Sequence, residues 1–190
     1  MTYAGNGDGK GNGSGYQYSG VLSAKESKPY AQPVCPNEEG SLQAGDTIEV
    51  HYVFSTASVK PGPTLGACLS DSIKNPQLRV EAQVFVLVND DKAANFVDLM
   101  RVGEQQGYQQ ALALPDTTGT PITYAGSTTG PDYNEKGSPF QVSWSVRPQV
   151  LKVSGPTVGQ WCTNNVFHEN HAHGVRNLVV APQLLSRIGQ

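Results

Sequence analysis

The stretch LRVEAQVFVLVNDD, residues 78–91, decides the fold class. It contains the longest apolar run of the chain, over residues 78–88, and the polar residues NDD end that run. A continuous apolar run of this length, rich in valine, is typical of a strand that is covered on both faces of its sheet. The stretch therefore predicts a sheet with residues 78–88 in its interior.

Three other segments predict strands around this central one. In DTIEVHYVFS, residues 46–55, apolar side chains alternate with a mixed set that includes Glu49 and His51. Such alternation places one set of side chains on each face of a strand. FQVSWSVRPQV, residues 140–150, alternates in the same way, and ITYAGSTTG, residues 122–130, predicts a strand that runs into a polar turn.

Helices are short and few in this sequence. AANFVDLMRV, residues 93–102, predicts a short helix, and GPTVGQWCTNNVF, residues 155–167, predicts a second one. Pro156 suits the first turn of the second helix, with Ser154 or Thr157 as its cap. The remaining segments predict irregular structure, namely residues 16–45 and a rigid loop over residues 60–68. The fold class is mainly β, a twisted and mostly antiparallel sheet with long loops and a few short peripheral helices.

Composition limits the domain organisation and the partners. With 190 residues the chain predicts one domain, residues 21–190, after a flexible glycine-rich segment over residues 1–20 that contains GNGDGKGNGSG. The 21 glycines and 13 prolines favour a loop-rich β fold. A net charge of −3, with no basic stripe, argues against a nucleic-acid partner, and no apolar run is long enough to span a membrane.

The four histidines are the candidate metal ligands. His51 follows Glu49 by two residues, so a strand would project an imidazole and a supporting carboxylate from one face. The alternative is a half-buried histidine on a solvated sheet face. His168, His171 and His173 cluster in FHENHAHG, where they either share a metal or form a polar loop surface.

The three cysteines leave two arrangements open. Cys35, Cys68 and Cys162 are widely spaced and form no C-x-x-C motif. One disulfide with one thiol and three buried thiols both fit this spacing. The cysteines therefore do not decide between a reducing and an oxidising compartment.

Several segments together resemble the δ-class carbonic anhydrases and their bacterial relatives. In chain order they are GDTIEVHYVFS, RVEAQVFVLVND, VDLMR, YAGSTTG, VSWSV and HGVRNLV, between about residues 45 and 180. The E-x-H strand and the Y-x-G-S-x-T turn also resemble the α-class enzymes. The resemblance implies that His51 is a zinc ligand and Glu49 the carboxylate that supports it. It also implies that Thr129, or Thr128 if the turn shifts by one residue, is the threonine that orients the reacting hydroxide.

The family resemblance implies zinc-dependent, reversible hydration of CO₂ to bicarbonate, the reaction of a carbon–oxygen lyase. In the family the other two zinc ligands come from an H-x-H strand before the E-x-H strand, and no such motif occurs before Gly45. The expectation is that the domain is incomplete at its N-terminus, or has lost two ligands, and that the chain is inactive. His171 and His173 are the remaining candidate ligands, although only His173 matches the family pattern.

Three readings of function therefore remain. The first two are a carbonic anhydrase with an incomplete zinc site and a non-catalytic β-rich binding or scaffold protein of the same descent. A different metalloprotein, with His168, His171, His173 and His51 as its ligands, is a third reading. An absent ligand strand would expose the sheet edge next to His51 and predicts a homodimer through that edge. By resemblance, a periplasmic or extracellular location is expected.

Overall fold

The computed structural model describes residues 2–5, 15–128, 140–173 and 183. It is mainly β, as the sequence predicted. The strands in this part of the chain are β1 (Thr2–Gly5), β2 (Gly15–Gln17), β3 (Val34–Asn37), β4 (Gly40–Leu42), β5 (Thr47–Ser55), β6 (Leu78–Val88), β7 (Val102–Gln105), β8 (Tyr108–Ala111), β9 (Ile122–Thr128), β10 (Phe140–Val146) and β11 (Leu151–Ser154). The α-helices in the same part are α1 (Phe96–Leu99) and α2 (Gly155–Thr163), and Leu65–Cys68 form one turn of 3₁₀ helix.

β6 is the central strand of the main sheet, which confirms the prediction from its apolar run. On one side it pairs antiparallel with the whole of β5, from Thr47 opposite Val86 to Ser55 opposite Leu78. On its other side, β10 runs parallel to its first half and β11 runs parallel to its second half. β9 pairs antiparallel with β10 and lies at the far side of the sheet.

The two faces of β6 are covered over different parts of its length, and only its second half, residues 84–88, lacks polar residues. Phe85 and Leu87 pack in one cluster, against α1, α2, β3 and β11. Leu78 and Val80 point to the opposite face and pack in a second cluster with side chains of β10 and of the loop around Leu65. The two halves of β6 therefore contribute apolar side chains to two separate cores, on opposite faces of the sheet.

The buried polar residue of β6, Gln83, is satisfied by hydrogen bonds. Its side chain is 2% exposed. Its Oε1 accepts a hydrogen bond from the Thr118 hydroxyl at 2.6 Å, and its Nε2 donates to the Gln149 carbonyl at 3.0 Å. These bonds fasten the loop before β9 and the loop after β10 to the centre of the sheet, and so offset the cost of burying an amide.

Several predicted boundaries were wrong, and local chemistry explains the differences. The strand predicted over residues 140–150 is two strands, because β10 ends before Pro148, which has no N–H for a strand ladder, and β11 begins at Leu151. The helix predicted over residues 93–102 is only the four residues of α1, for which the Asn95 side chain accepts the first N–H groups. The helix predicted over residues 155–167 ends at Thr163.

Other elements were missed by sequence reasoning. The segment 16–45, predicted to be irregular, contains β3 and β4, and the β7–β8 hairpin was not predicted at all. That hairpin turns at Gln106 and Gly107, whose φ angles of 53° and 80° are both left-handed. Such a turn favours glycine, so Gln-Gly was an available signal.

The cysteine question is settled by the fold. Cys35 in β3 and Cys162 in α2 form a disulfide, and Cys68 takes no part in it. Most of the glycine tract, residues 6–14, lies outside the described residues, so the predicted flexibility of residues 1–20 stays a prediction. Among the helices that the structure describes, none is long and apolar enough to cross a bilayer.

Candidate active-site groove

A groove of about 1,040 Å³ runs along β5. One side is formed by the β7–β8 hairpin, the end of α2 and the segment that follows it, and the other side by the loop of residues 58–68. Glu49 and His51 lie in this groove, and so do His171 and His173. The fold therefore lines one cavity with His51 and with two of the three clustered histidines, His171 and His173, although His171 is 120 residues from His51 in sequence. His168 is not among the residues described as lining it. We call this cavity the β5 groove.

The alternation of β5 places Glu49 and His51 on one face of the sheet. On the other face, Ile48 and Val50 pack against the cluster that contains Phe85. Burial of these apolar residues fixes the register, since a shift by one residue would turn every side chain of β5 to the opposite face. Because Ile48 and Val50 are packed in the core on one face of β5, the imidazole of His51 lies on the opposite face, outside that core.

Glu49 and His51 lie side by side on one face of the strand. The Nε2 atom of His51 lies 3.3 Å from Oε1 of Glu49, and the two side chains are 41% and 53% exposed. The hydrogen bond from His51 lowers the pKa of Glu49 below its ordinary value, burial acts in the opposite direction, and the charge of His51 adds to the lowering. Glu49 is therefore ionised at neutral pH and lies beside Nε2 of His51, and Nδ1 is the second nitrogen of that ring.

Trp144 and Tyr124 complete this group, and sequence reasoning missed both. The indole of Trp144 meets the His51 ring edge-to-face, with ring centroids 5.0 Å apart. Tyr124 stacks on Trp144 at 6.2 Å, and its pKa is raised by burial and, to a smaller extent, by the charge of Glu49. The motifs containing both aromatics were visible in the sequence, but only the pairing of β5, β6, β10 and β9 shows that they lie beside His51.

Gly126 makes room for this aromatic stack. A Cβ atom on Gly126 would lie 2.7 Å from Cδ1 and 2.8 Å from Nε1 of Trp144. Contacts that short do not occur, so any larger residue would displace the indole against which His51 packs. We call Glu49, His51, Tyr124 and Trp144 the sheet cluster.

The opposite side of the groove is positioned by a chain of aromatic contacts. Phe85 of β6 meets Phe96 of α1 at 5.9 Å, and Phe96 meets Trp161 of α2 at 5.4 Å. Trp161 then contacts Phe167 at 6.4 Å. These rings connect the segment after α2 to the central strand, and the Cys35–Cys162 disulfide anchors the same end of α2 covalently.

Asn165 shapes the turn that follows α2. Its Nδ2 donates to the carbonyl oxygens of Trp161 and Glu169, and its Oδ1 accepts from the N–H groups of Phe167 and Glu169. His168 has a left-handed φ of 56° within this turn. The Asn165 side chain thus replaces the backbone bonds that a continuing helix would have made, which explains why α2 ends before the predicted boundary.

The turn presents a second polar group to the groove. Nε2 of His173 lies 2.8 Å from Oε2 of Glu169, and the rings of His171 and His173 are 5.1 Å apart. The hydrogen bond from His173 lowers the pKa of Glu169 against the opposing effect of burial, and the charges of His173 and His171 lower it further. Nδ1 of His171 is bonded to the Asn170 side chain. We call Glu169, Asn170, His171 and His173 the loop cluster.

The sheet cluster contains one candidate metal ligand, His51, and the carboxylate that would orient it. A ligand imidazole commonly donates its second N–H to a carboxylate, and Glu49 lies 3.3 Å from Nε2 of His51, where it could accept such a bond. A catalytic zinc requires three protein ligands and one open position. Among the residues that the structure describes, no three His, Cys, Asp or Glu side chains are close enough together to hold a metal ion. These residues alone therefore do not form a zinc site. Thr129 lies outside the described residues, and of Thr128 only the backbone, at the end of β9, is described.

Comparison with known proteins identifies the family of the chain. The family model described as Delta carbonic anhydrase matches residues 1–157. The matched range includes Glu49, His51 and Thr129 and ends before the loop cluster. Searches of curated proteins and of solved structures found no match. With more than three quarters of its length matched in one continuous range, the chain belongs to the delta carbonic anhydrase family.

Proposed function

We propose that the complete form of this protein catalyses the zinc-dependent, reversible hydration of CO₂ to bicarbonate, and that the present chain supplies one zinc ligand, His51. The remaining ligands would come from an H-x-H strand, as the family resemblance implies, and no H-x-H motif precedes β5 in this sequence. The chain by itself is then inactive. The observation that carries the proposal is the Glu49–His51 pair, which projects from β5 into a groove large enough for a small substrate.

The geometry of His51 supports this role. Its Nε2 faces Glu49, so the ring is held in the tautomer whose Nδ1 can bind a cation. The edge-to-face contact with Trp144 limits rotation of the ring. A bound zinc ion would supply a water molecule with a pKa of about 7. Glu49 and Trp144 would act by holding the His51 imidazole in place.

Two further assignments accompany the proposal. Thr129 would accept and donate hydrogen bonds to orient the reacting hydroxide, as the family resemblance implies. An exported, periplasmic or extracellular location is supported by the Cys35–Cys162 disulfide, because such bonds persist mainly in oxidising compartments.

Metal binding by variants tests the assignment of His51. Equilibrium dialysis against Zn²⁺ is expected to show weak binding by the chain, reduced at least tenfold by His51→Ala. The matched control is His168→Asn, because His168 is exposed, is not among the residues described as lining the β5 groove, and has a φ that asparagine tolerates. Equal losses in both variants, or loss only in a His171→Ala/His173→Ala double variant, would contradict the assignment to His51.

Activity tests the complete proposal. Stopped-flow CO₂ hydration by the chain alone is expected to equal the uncatalysed background. A longer polypeptide that carries an H-x-H segment on the N-terminal side of Met1 should bind one zinc ion per chain and hydrate CO₂. If such a polypeptide binds zinc through His51 and still does not hydrate CO₂, the proposed reaction is wrong.

A non-catalytic binding protein is the second candidate. It is favoured by the lack of any three-ligand group among the residues described. This candidate predicts that no in-frame sequence upstream of Met1 encodes an H-x-H segment. Nucleotide sequence upstream of Met1 therefore separates the two candidates without any assay.

A further inference from the structure

The imidazole of His51 and the indole of Trp144 meet across an intervening strand. His51 belongs to β5 and Trp144 to β10, and β6 lies between these two strands. Neighbouring strands of a sheet lie about 4.8 Å apart, so β5 and β10 are separated by about twice that distance. The centroids of the two rings are nevertheless only 5.0 Å apart. The two side chains therefore lean toward each other over β6.

A small residue on β6 leaves room for this contact. Ala82 lies directly opposite His51 on one side and Val146 on the other. Val80, the next residue of β6 on the same face, lies directly opposite Trp144. Residues directly opposite each other in a sheet project from the same face. The short side chain of Ala82, which is 1% exposed, therefore leaves space over β6 in which the two rings can meet.

Tyr124 covers the indole from the side of β9. It lies directly opposite Trp144 in the β9–β10 ladder. The two rings are nearly parallel, with an interplanar angle of 10° and centroids 6.2 Å apart. β9 pairs with the edge of β10 that faces away from β6 and β5. The indole of Trp144 therefore lies between the phenol of Tyr124 and the imidazole of His51.

We propose that Tyr124 is a positioning residue that acts on His51 through Trp144. The phenol ring fills the space on the β9 side into which the indole could turn, and the indole limits rotation of the imidazole beside Glu49. Groups that fix the orientation of a ligand imidazole contribute to metal affinity. The benefit for catalysis rests on the proposed function, in which His51 is a zinc ligand. The positioning itself needs no metal.

Nuclear magnetic resonance of the metal-free chain tests the contacts of the three rings. Nuclear Overhauser effects are expected between the ring protons of Tyr124 and Trp144, and between those of Trp144 and His51. Tyr124→Ala should shift the ring-proton resonances of His51, whereas Tyr124→Phe, which keeps the ring, should not. Ile122→Ala is the matched control, because Ile122 lies on the same face of β9, two residues from Tyr124, and is 36% exposed. It should leave the His51 resonances unchanged.

A double-variant cycle tests whether Tyr124 acts through Trp144. In the Trp144→Leu background, Tyr124→Ala should no longer shift the His51 resonances, because the ring that connects the two residues is gone. Equilibrium dialysis against Zn²⁺ gives a second readout. Affinity should fall about threefold in Tyr124→Ala and about tenfold in Trp144→Leu, and Tyr124→Phe should stay within about twofold of the unmodified chain. Tyr124 is 52% exposed, so urea denaturation should show that Tyr124→Ala remains folded.

Four results would overturn the proposal. They are a lack of Overhauser effects among the three rings of the unmodified chain, unchanged His51 resonances in Tyr124→Ala, the same shift in Tyr124→Phe, and an equal shift in the Trp144→Leu background. The first requires no variant, so the test does not depend on the folding of Tyr124→Ala. If the rings are coupled as expected but Zn²⁺ binding does not depend on His51, the positioning stands and the proposed function is wrong.

Discussion

The sheet cluster and the loop cluster place similar chemistry on two sides of one groove by different physical means. In each, a glutamate bonds a histidine, Glu49 with His51 and Glu169 with His173. The first pair is positioned by the nine-residue register of β5 on β6. The second pair is positioned by one asparagine side chain and a disulfide. Many backbone hydrogen bonds of the β5–β6 ladder hold the sheet cluster in position, whereas a few side-chain contacts hold the loop cluster. A single substitution should therefore displace the loop cluster more than the sheet cluster.

Removal of the disulfide is expected to lower the stability of the protein more than any other change proposed. Cys35 and Cys162 are 127 residues apart, and a crosslink over such a long loop strongly restricts the unfolded chain. The Cys35→Ala/Cys162→Ala double variant should lose about 2–5 kcal/mol of unfolding free energy in urea denaturation. Cys68→Ala is the control, with an expected loss of about 1 kcal/mol or less. A double variant as stable as the unmodified protein would show that the aromatic contacts of Trp161 position α2 without the disulfide.

Removal of the Asn165 side chain is expected to have the next largest effect on stability. Asn165→Ala abolishes four hydrogen bonds of the turn and should cost about 2–3 kcal/mol, as well as releasing Glu169 from its position. Its neighbour Asn164 is exposed, so Asn164→Ala should cost about 0.5 kcal/mol or less. Urea denaturation measures both variants. Equal costs for the two asparagines would mean that the turn does not depend on the Asn165 side chain.

Two glycine substitutions should change stability in opposite directions. Gly126→Ala pushes a methyl group into Trp144 and should destabilise the protein by about 1–3 kcal/mol, with a change in tryptophan fluorescence. Gly159→Ala places the same methyl group in α2, where its nearest contact is at 3.7 Å, and should stabilise by about 0.5–1 kcal/mol. If Gly126→Ala leaves both stability and fluorescence unchanged, the indole is not packed against β9 as described.

The smallest effects concern the pKa values of the two glutamates. His51→Ala should raise the pKa of Glu49 and leave that of Glu169 unchanged, whereas His173→Ala should do the reverse. Carbon-13 NMR titration of the carboxyl groups measures both values, and each variant controls for the other. A shift of both glutamates in either variant would show that the two clusters are electrostatically coupled across the groove.

The same shifts predict the direction of an acid dependence. Because folding lowers both carboxyl pKa values, the pairs contribute stability above the ordinary carboxyl value of about 4.3, and that contribution is lost as the pH falls through the lowered values. The pairs are partly exposed and screened by solvent, so the contribution is expected to be below about 1 kcal/mol. Urea denaturation between pH 3 and pH 6 measures the free energy of unfolding at each pH. This free energy should rise less steeply with pH in Glu49→Gln than in the unmodified protein.

The sequence by itself determined the central position of β6, the two faces of β5 and the pairing of Glu49 with His51. Each of these follows from hydrophobic periodicity, which acts between residues close in the chain. It also led to the family, through short motifs in a fixed order.

Only the tertiary structure decided which cysteines pair, that Trp144 and Tyr124 lie beside His51, and that the loop cluster shares the β5 groove. These facts depend on strand order, on parallel pairing of β10 with β6, and on contacts between residues more than 90 positions apart. Local periodicity carries no information about such contacts, because they are selected by the packing of the whole core.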